Sequence, residues 1–111
     1  MGISKTEEFT PKQNQIGNLA KALGHPARIA ILDVLSKREE CICGEIVEQL
    51  PLAQPTVSQH LKELKNAGLI KGSIEGNTIC YCIDEKGIRK FIDYLESIEA
   101  KLEKTKNKKC C

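Results

Sequence analysis

Residues 54–70, QPTVSQHLKELKNAGLI, have the features of a short amphipathic helix followed by the start of a strand. Pro55 suits the first turn of a helix, and Gly68 is the residue type that most often follows the last turn. The apolar side chains recur at i, i+4 and i+7, the spacing of one helix face: Val57, Leu61 and Leu64. The other face begins with uncharged hydrogen-bonding groups instead of the Glu and Lys pairs usual on a solvated surface. This stretch therefore predicts a helix that is buried on one side and free for recognition on the other.

Three helices are predicted before this one. In residues 10–24, Thr10 can cap the helix, Pro11 suits its first turn, and Gly24 is a plausible stop. Residues 25–37, HPARIAILDVLSK, begin a second helix with another proline in the first turn. Residues 38–51, REECICGEIVEQLP, predict a third, short helix with its apolar side chains inward.

After residue 69, the spacing of the apolar residues changes from that of a helix to that of a strand. Residues 78–83 alternate as in a strand, and the preceding EGN is a turn signal, so residues 69–83 predict a β-hairpin. Ile79 and Tyr81 are assigned to the core face of the second strand. Cys80 and Cys82 are then expected to face outward or towards the margin of the domain.

The C-terminal part predicts one long helix and a homodimer. Its apolar residues keep helical spacing over several turns: Ile88, Phe91, Ile92, Leu95, Ile98 and Leu102. A small domain cannot cover a stripe of this length by itself, so dimerisation through the terminal helices is expected. The chain divides into a flexible segment (1–9), a DNA-binding and dimerisation domain (10–104) and a basic cysteine-containing tail (105–111).

The order of the predicted elements is that of a winged helix-turn-helix, a mainly α fold with a small β-hairpin. Its second motif helix would enter the major groove of double-stranded DNA, which is about 12 Å wide. The wing would lie along the backbone or the minor groove. The candidate DNA-binding residues are Gln54, Thr56, Ser58, Gln59, His60, Lys62, Lys71 and Asn77.

Composition argues against several other classes of protein. The chain has 111 residues, a formal net charge of +2, six cysteines and two histidines. We expect a cytoplasmic protein without a membrane span, because no signal-peptide pattern and no long apolar run is present. In a reducing compartment, cysteines serve metal, metalloid or redox chemistry more often than structural disulfides. No enzyme is expected, because the chain has no C-x-x-C, HExxH or Ser/His/Asp constellation.

A family resemblance is carried by HPARIAILDVL (25–35) and by the stretch from CICGEIV to TICYCI (41–83). The chain resembles the ArsR/SmtB family of metal- and metalloid-sensing repressors over roughly residues 16–100. The resemblance implies a dimeric repressor that needs no metal to bind DNA and leaves its operator when an inducer binds. It also implies that Gln54, Thr56, Ser58 and Gln59 contact DNA. His60 could either do the same or orient the helix.

Cys41 and Cys43 match the Cys-x-Cys of family members that sense thiophilic ions, at the start of the first motif helix. Thiolates prefer soft acceptors, so the inducer is expected to be As(III) or Sb(III), ahead of Cd(II) or Pb(II). Residues i and i+2 do not share a helix face, so binding would deform the first turn. The third cysteine of one arsenite-sensing pattern is replaced by Ile46. Further ligand candidates are Cys110 and Cys111 in the tail, water or an added thiol.

Several alternatives remain open from the sequence. The thiols could sense oxidants or persulfides in the same fold, or the chain could be a cytosolic metal buffer. Cys80 and Cys82 could form a second soft site or be incidental. A zinc site between the C-terminal helices is not expected, because the only histidines are His25 and His60. The operator and the regulated genes cannot be read from one chain.

Overall fold

The computed structural model describes residues 8–37, 41–43, 50–76 and 78–104. Its elements in chain order are α1 (Pro11–Leu23), α2 (Pro26–Ser36), β1 (Ile42–Cys43), α3 (Gln54–Ala67), β2 (Ile70–Glu75), β3 (Thr78–Ile83) and α4 (Glu85–Lys104). The helices α1 to α3 and the hairpin agree with the sequence-based prediction. The predicted N-terminal segment (1–9) and the C-terminal tail fall largely outside the described residues.

Local capping signals set the starts of α1 and α2. The Thr10 hydroxyl accepts a hydrogen bond from the Gln13 N–H, and the Gln13 side chain accepts one from the Thr10 N–H, both at 3.0 Å. This reciprocal pair satisfies donors that the first helical turn cannot satisfy internally. At the start of α2, Nδ1 of His25 accepts a hydrogen bond from the Ala27 N–H at 3.1 Å. Gly24 ends α1, as expected.

Helix α3 is buried on its apolar side and ends at a glycine. Val57, Leu61 and Leu64 are all buried in the core, which confirms the predicted stripe. Gly68 follows α3 with φ +86°, a left-handed conformation that glycine adopts without steric cost. The Leu69 N–H then donates to the Leu64 carbonyl at 3.0 Å, so the chain turns tightly into β2.

The hairpin belongs to a three-stranded antiparallel sheet in the order β1–β3–β2. The predicted helix over residues 38–51 is therefore wrong at Ile42–Cys43, which form strand β1. Ile42 is buried at 4% exposure and lies opposite Tyr81, so its burial comes from pairing with the wing. The remainder of that predicted helix, residues 44–49, lies outside the described residues.

The side chains of β3 are not distributed as expected. Cys80 is buried at 1% exposure, whereas Ile79 is 46% exposed. Ile79 pairs with Ile74, which is 78% exposed. Both side chains are exposed because this end of the hairpin extends beyond the body of the domain. Tyr81 is half-buried and lies across Gly72, where a Cβ would come within 3.2 Å of its ring. The assignment of Cys80 to the outward face is therefore wrong.

Helix α4 packs on α1 through part of its apolar stripe and leaves the rest uncovered. Ile88, Phe91 and Tyr94 pack against the core. Farther along, the apolar side chains are 48%, 37% and 62% exposed at Leu95, Ile98 and Leu102. Within the described part of the chain, no helix is long and apolar enough to cross a membrane.

Candidate DNA interface and thiol site

The outer face of α3 presents the predicted hydrogen-bonding groups to solvent. The exposed residues of this group are Gln54, Thr56, Ser58, Gln59 and Lys62. The residue before the helix is Ala53, whose side chain accepts no hydrogen bond from the first turn. Unlike α1 and α2, α3 therefore begins without a side-chain cap, and its N-terminal N–H groups remain suited to a phosphate oxygen.

The wing supplies one further exposed candidate. Lys71 lies in β2 and is exposed, while Asn77 lies outside the described residues. Lys71 pairs across the ladder with Cys82 of β3. The wing cation and a wing cysteine therefore occupy directly opposed positions of one strand pair.

His60 differs from the other candidates because it is buried at 9% exposure. Its Nδ1 accepts a hydrogen bond from Nε of Arg28 at 3.2 Å, and its ring lies 4.4 Å from that of His25. Arg28 also donates to the carbonyl of Ala22 at 3.3 Å, so these contacts connect α1, α2 and α3. This placement supports the helix-orienting role for His60. No local sequence pattern indicated the part that Arg28 plays.

The environment of His60 disfavours its protonated form. Burial lowers the pKa of His60 below the ordinary value of 6.5, and the nearby His25 and Arg28 lower it further, against an opposing effect of Glu63. Because Nδ1 accepts the bond from Arg28, the neutral ring carries its proton on Nε2. Protonation of Nδ1 would remove that acceptor and place a positive charge beside the guanidinium.

We expect the domain to lose stability as the pH falls through 6.5. Below that value, His60 of the unfolded chain binds a proton while His60 of the folded chain still resists it. The unfolded state then binds more protons, so the free energy of unfolding decreases towards acid pH. Urea denaturation at pH 7.5 and pH 5.5 measures this loss.

The variant His60→Asn provides the matched test, because the amide oxygen can accept from Arg28 but does not titrate. We expect a smaller loss of stability between the two pH values in His60→Asn than in the wild type. The control His25→Asn keeps an acceptor for the Ala27 N–H. Its stability should depend on pH more strongly than that of His60→Asn. An equal pH dependence in His60→Asn and the wild type would assign the effect to other groups.

The thiol site is arranged differently from the expected Cys-x-Cys helix. Cys41, which is exposed, forms a disulfide with the half-buried Cys82, with a Cα–Cα distance of 4.6 Å. The two residues are 41 positions apart in sequence, and the bridge joins the residue before β1 to β3 of the wing. In the same register the Cα of Cys43 lies opposite that of Cys80, which is likewise disulfide-bonded.

The remaining parts of the predicted site are only partly visible. The side chain of Cys43 and the whole of Cys110 and Cys111 lie outside the described part of the structure. Within that part, no group of three or more His, Cys, Asp or Glu side chains is arranged to hold a metal ion. Sequence reasoning missed the partnership of Cys41 with Cys82. The sequence feature that could have indicated this partnership is the presence of two Cys-x-Cys pairs, one of them on a predicted strand.

Comparison with known proteins agrees with this architecture. The model of a family described as "Bacterial regulatory protein, arsR family" matches residues 25–71. An uncharacterized HTH-type transcriptional regulator of Methanocaldococcus jannaschii is 33% identical over 88 residues, which cover 78% of this chain and 98% of that protein. The chain belongs to the ArsR family. Members of this family are transcriptional regulators, and the expectation of a non-enzymatic protein is confirmed.

Two further relatives bear on how an ArsR-family chain of this kind works. The arsenical resistance operon repressor of Staphylococcus xylosus is 33% identical over 81 residues, 73% of each chain. The NMR structure of a homodimeric winged helix-turn-helix DNA-binding domain from Mycobacterium bovis has a TM-score of 0.62 and 27% identity. The match covers 89% of this chain and 90% of the M. bovis chain. The winged helix-turn-helix prediction is thereby confirmed.

Proposed function

We propose that this ArsR-family chain is a homodimeric cytoplasmic repressor that leaves its DNA operator when a thiophilic metalloid binds its cysteines. As(III) or Sb(III) is the proposed inducer, ahead of Cd(II) or Pb(II). The observation that carries the proposal is the position of Cys41, an exposed cysteine that precedes α3 in the chain and is bonded to Cys82 of the wing. A ligand at this position would be held against β3 of the wing.

The DNA-binding part rests on α3 and β2. The exposed groups at the start of α3 have the reach and hydrogen-bonding capacity to read base edges. Lys62 and Lys71 supply positive charge for phosphate, and Asn77 completes the wing contact. His60 holds α3 in place through Arg28. Phosphate contacts position the protein, while the α3 contacts select the sequence.

The dimer rests on the uncovered end of α4. Leu95, Ile98 and Leu102 continue a buried stripe into solvent, and such a face is stabilised when a second copy covers it. The homodimeric relative from M. bovis supports the same arrangement. A two-fold dimer presents two copies of α3 to successive major grooves.

The sensing part rests on sulfur chemistry. Soft thiolates bind As(III), Sb(III), Cd(II) and Pb(II) in preference to hard cations. The similarity to an arsenical resistance operon repressor favours the metalloids. The proposed ligands are Cys43 of β1 and Cys41, which immediately precedes that strand. The proposed tail ligands, Cys110 and Cys111, are weighed against a nearer cysteine below.

The test is fluorescence anisotropy of the reduced protein on labelled DNA from upstream of its own gene, titrated with arsenite. We expect salt-sensitive binding that weakens by about 5- to 150-fold when arsenite binds, the usual range for coupling between two sites. Binding that arsenite does not change would eliminate the metalloid and direct the search to Cd(II), Pb(II) or oxidants.

The variants Cys41→Ser and Cys43→Ser test these two proposed ligands separately. Each is expected to bind the operator with nearly wild-type affinity, because neither residue lies on the outer face of α3. Each should lose most of the arsenite response, so the ratio of DNA affinities with and without arsenite falls towards one. Normal release by both variants would show that the inducer binds elsewhere.

The Cys41–Cys82 disulfide favours a second candidate function, a thiol-redox sensor of the same fold. Two thiols and an organic hydroperoxide would give the disulfide, an alcohol and water, with the thiols oxidised and the peroxide reduced. A hydroperoxide titration of the reduced protein on DNA separates the two functions. Release by hydroperoxide but not by arsenite would establish the redox sensor.

A further inference from the structure

We infer that the third thiolate of the inducer site is Cys82 on β3 of the wing, instead of a cysteine of the C-terminal tail. This inference rests on the proposed function, because it names a ligand of the same site. The family pattern that supplies a third cysteine near Cys43 has Ile46 at that position here. A cysteine from another element must therefore complete a three-thiolate site.

The distance between Cys41 and Cys82 already suits the binding of one ion by both sulfurs. Cys41 and Cys82 have Cα atoms 4.6 Å apart, and their sulfurs are close enough to be bonded. Sulfurs that share one soft ion lie roughly 3.5–4 Å apart, since metal–sulfur bonds are about 2.3 Å long. After reduction, small side-chain rotations would open the pair by that amount without moving the backbone.

The sheet register brings a second pair of cysteines next to the first. Ile42 lies opposite Tyr81, and the next pair along the ladder joins the Cα positions of Cys43 and Cys80. Pairs two positions apart in an antiparallel ladder project to the same face of the sheet. The positions of the Cys41–Cys82 and Cys43–Cys80 pairs are therefore two steps apart in one ladder, the spacing that places two positions on the same face.

Exposure separates the two wing cysteines. Cys82 is half-buried beside the exposed Cys41, so an ion from solvent can reach both sulfurs. Cys80 is 1% exposed and lies deeper in the domain. Cys82 is the better third ligand for this reason, and Cys80 forms the interior wall of the site.

The position of Cys82 also gives a path to DNA. Cys82 pairs directly with Lys71, the exposed cation of β2, and Cys80 pairs with Ser73. The sulfurs of Cys41 and Cys82 reach one ion without movement of the backbone, but a third bond to Cys43 would shift β1 against β3 and displace β2 through these ladder bonds. The wing would then lose its alignment with α3, whose start follows β1 in the chain.

The chemistry balances with a small-molecule thiol as reductant. Two such thiols reduce the Cys41–Cys82 disulfide and leave as their own disulfide, and two more do the same at the disulfide of Cys80. Arsenite, As(OH)3, then reacts with the three protein thiols of Cys41, Cys43 and Cys82. Three As–S bonds replace three As–O bonds, and three water molecules are released, with no change in oxidation state.

Alkylation with iodoacetamide followed by peptide mass spectrometry locates the ligands in the full-length reduced protein. With arsenite bound, we expect Cys82 to be protected together with Cys41 and Cys43, while Cys110 and Cys111 are alkylated. Arsenite affinity is measured in parallel from the ultraviolet absorbance of the As–S bonds. Cys82→Ser should lower that affinity by at least about 100-fold, since even indirect supports of metal ligands contribute 10–100-fold.

The matched control is the double variant Cys110→Ser/Cys111→Ser, which should bind arsenite like the wild type. Cys82→Ala is a second test that adds no hydroxyl group to the sheet. Unprotected Cys82, or full arsenite affinity in both Cys82 variants, would overturn the inference. Protection of Cys82 without DNA release would uphold the site and refute the proposed repressor mechanism. DNA release with Cys110 and Cys111 protected and Cys82 alkylated would overturn the inference but support the proposed repressor mechanism.

Discussion

Replacing Gln54 and Ser58 together by alanine is expected to abolish most sequence-specific DNA binding. Both side chains are exposed on the outer face of α3, and neither supports the core. Contacts of this kind to base edges contribute about 1–2 kcal/mol each, so the double variant should bind its operator roughly 30- to 1,000-fold more weakly. Anisotropy at one fixed salt concentration measures the loss.

Comparison with scrambled DNA makes this result specific. The double variant should keep nearly wild-type affinity for scrambled DNA, because phosphate contacts carry non-specific binding. Lys62→Gln is the matched variant on the same helix, and it should weaken binding to both DNAs while reducing the salt dependence. Wild-type operator affinity in the double variant would mean that this face of α3 does not read DNA.

Replacing Gly87 by alanine is expected to cause the largest loss of stability. Gly87 is buried in the first turn of α4, where an added Cβ would overlap the Gly68 carbonyl oxygen and lie 2.8 Å from its carbon. The turn cannot yield easily, because Leu69 bonds to Leu64 on one side and to Asp84 on the other. Overpacking of this kind costs about 3 kcal/mol.

Urea denaturation at a fixed protomer concentration measures this loss, because the stability of a dimer depends on concentration. Lys86→Ala is the control, since residue 86 is exposed in the same helical turn. Its free energy of unfolding should change by less than about 0.5 kcal/mol. If Gly87→Ala were as stable as Lys86→Ala, α4 would not pack closely against the turn after α3.

The elements predicted correctly from sequence are those with strong local signals. Thr10 forms the start of a capping box, and Gly68 adopts the left-handed conformation that ends α3. The apolar period of α3 identified its buried face, and the alternation around the EGN turn identified the hairpin. Each of these signals acts over a few neighbouring residues, so one chain is sufficient to read them.

Strand β1 had no such signal. Two residues cannot show a period, and the helical pattern of the flanking sequence extended across them. Ile42 is held in a strand by Tyr81, almost forty positions later in the chain. The burial of His60 against Arg28 likewise depends on the packing of α3 on α2, which no local pattern encodes.

The sequence by itself determined the family, the order of the helices and the wing, and the outer face of α3, because periodicity and capping act locally. Only the tertiary structure decided that Cys80 is buried and that Cys41 lies beside Cys82. Alternation along a strand separates its two faces but does not identify which one is covered. That choice depends on the strands and helices packed around it, and it brings together cysteines 41 positions apart.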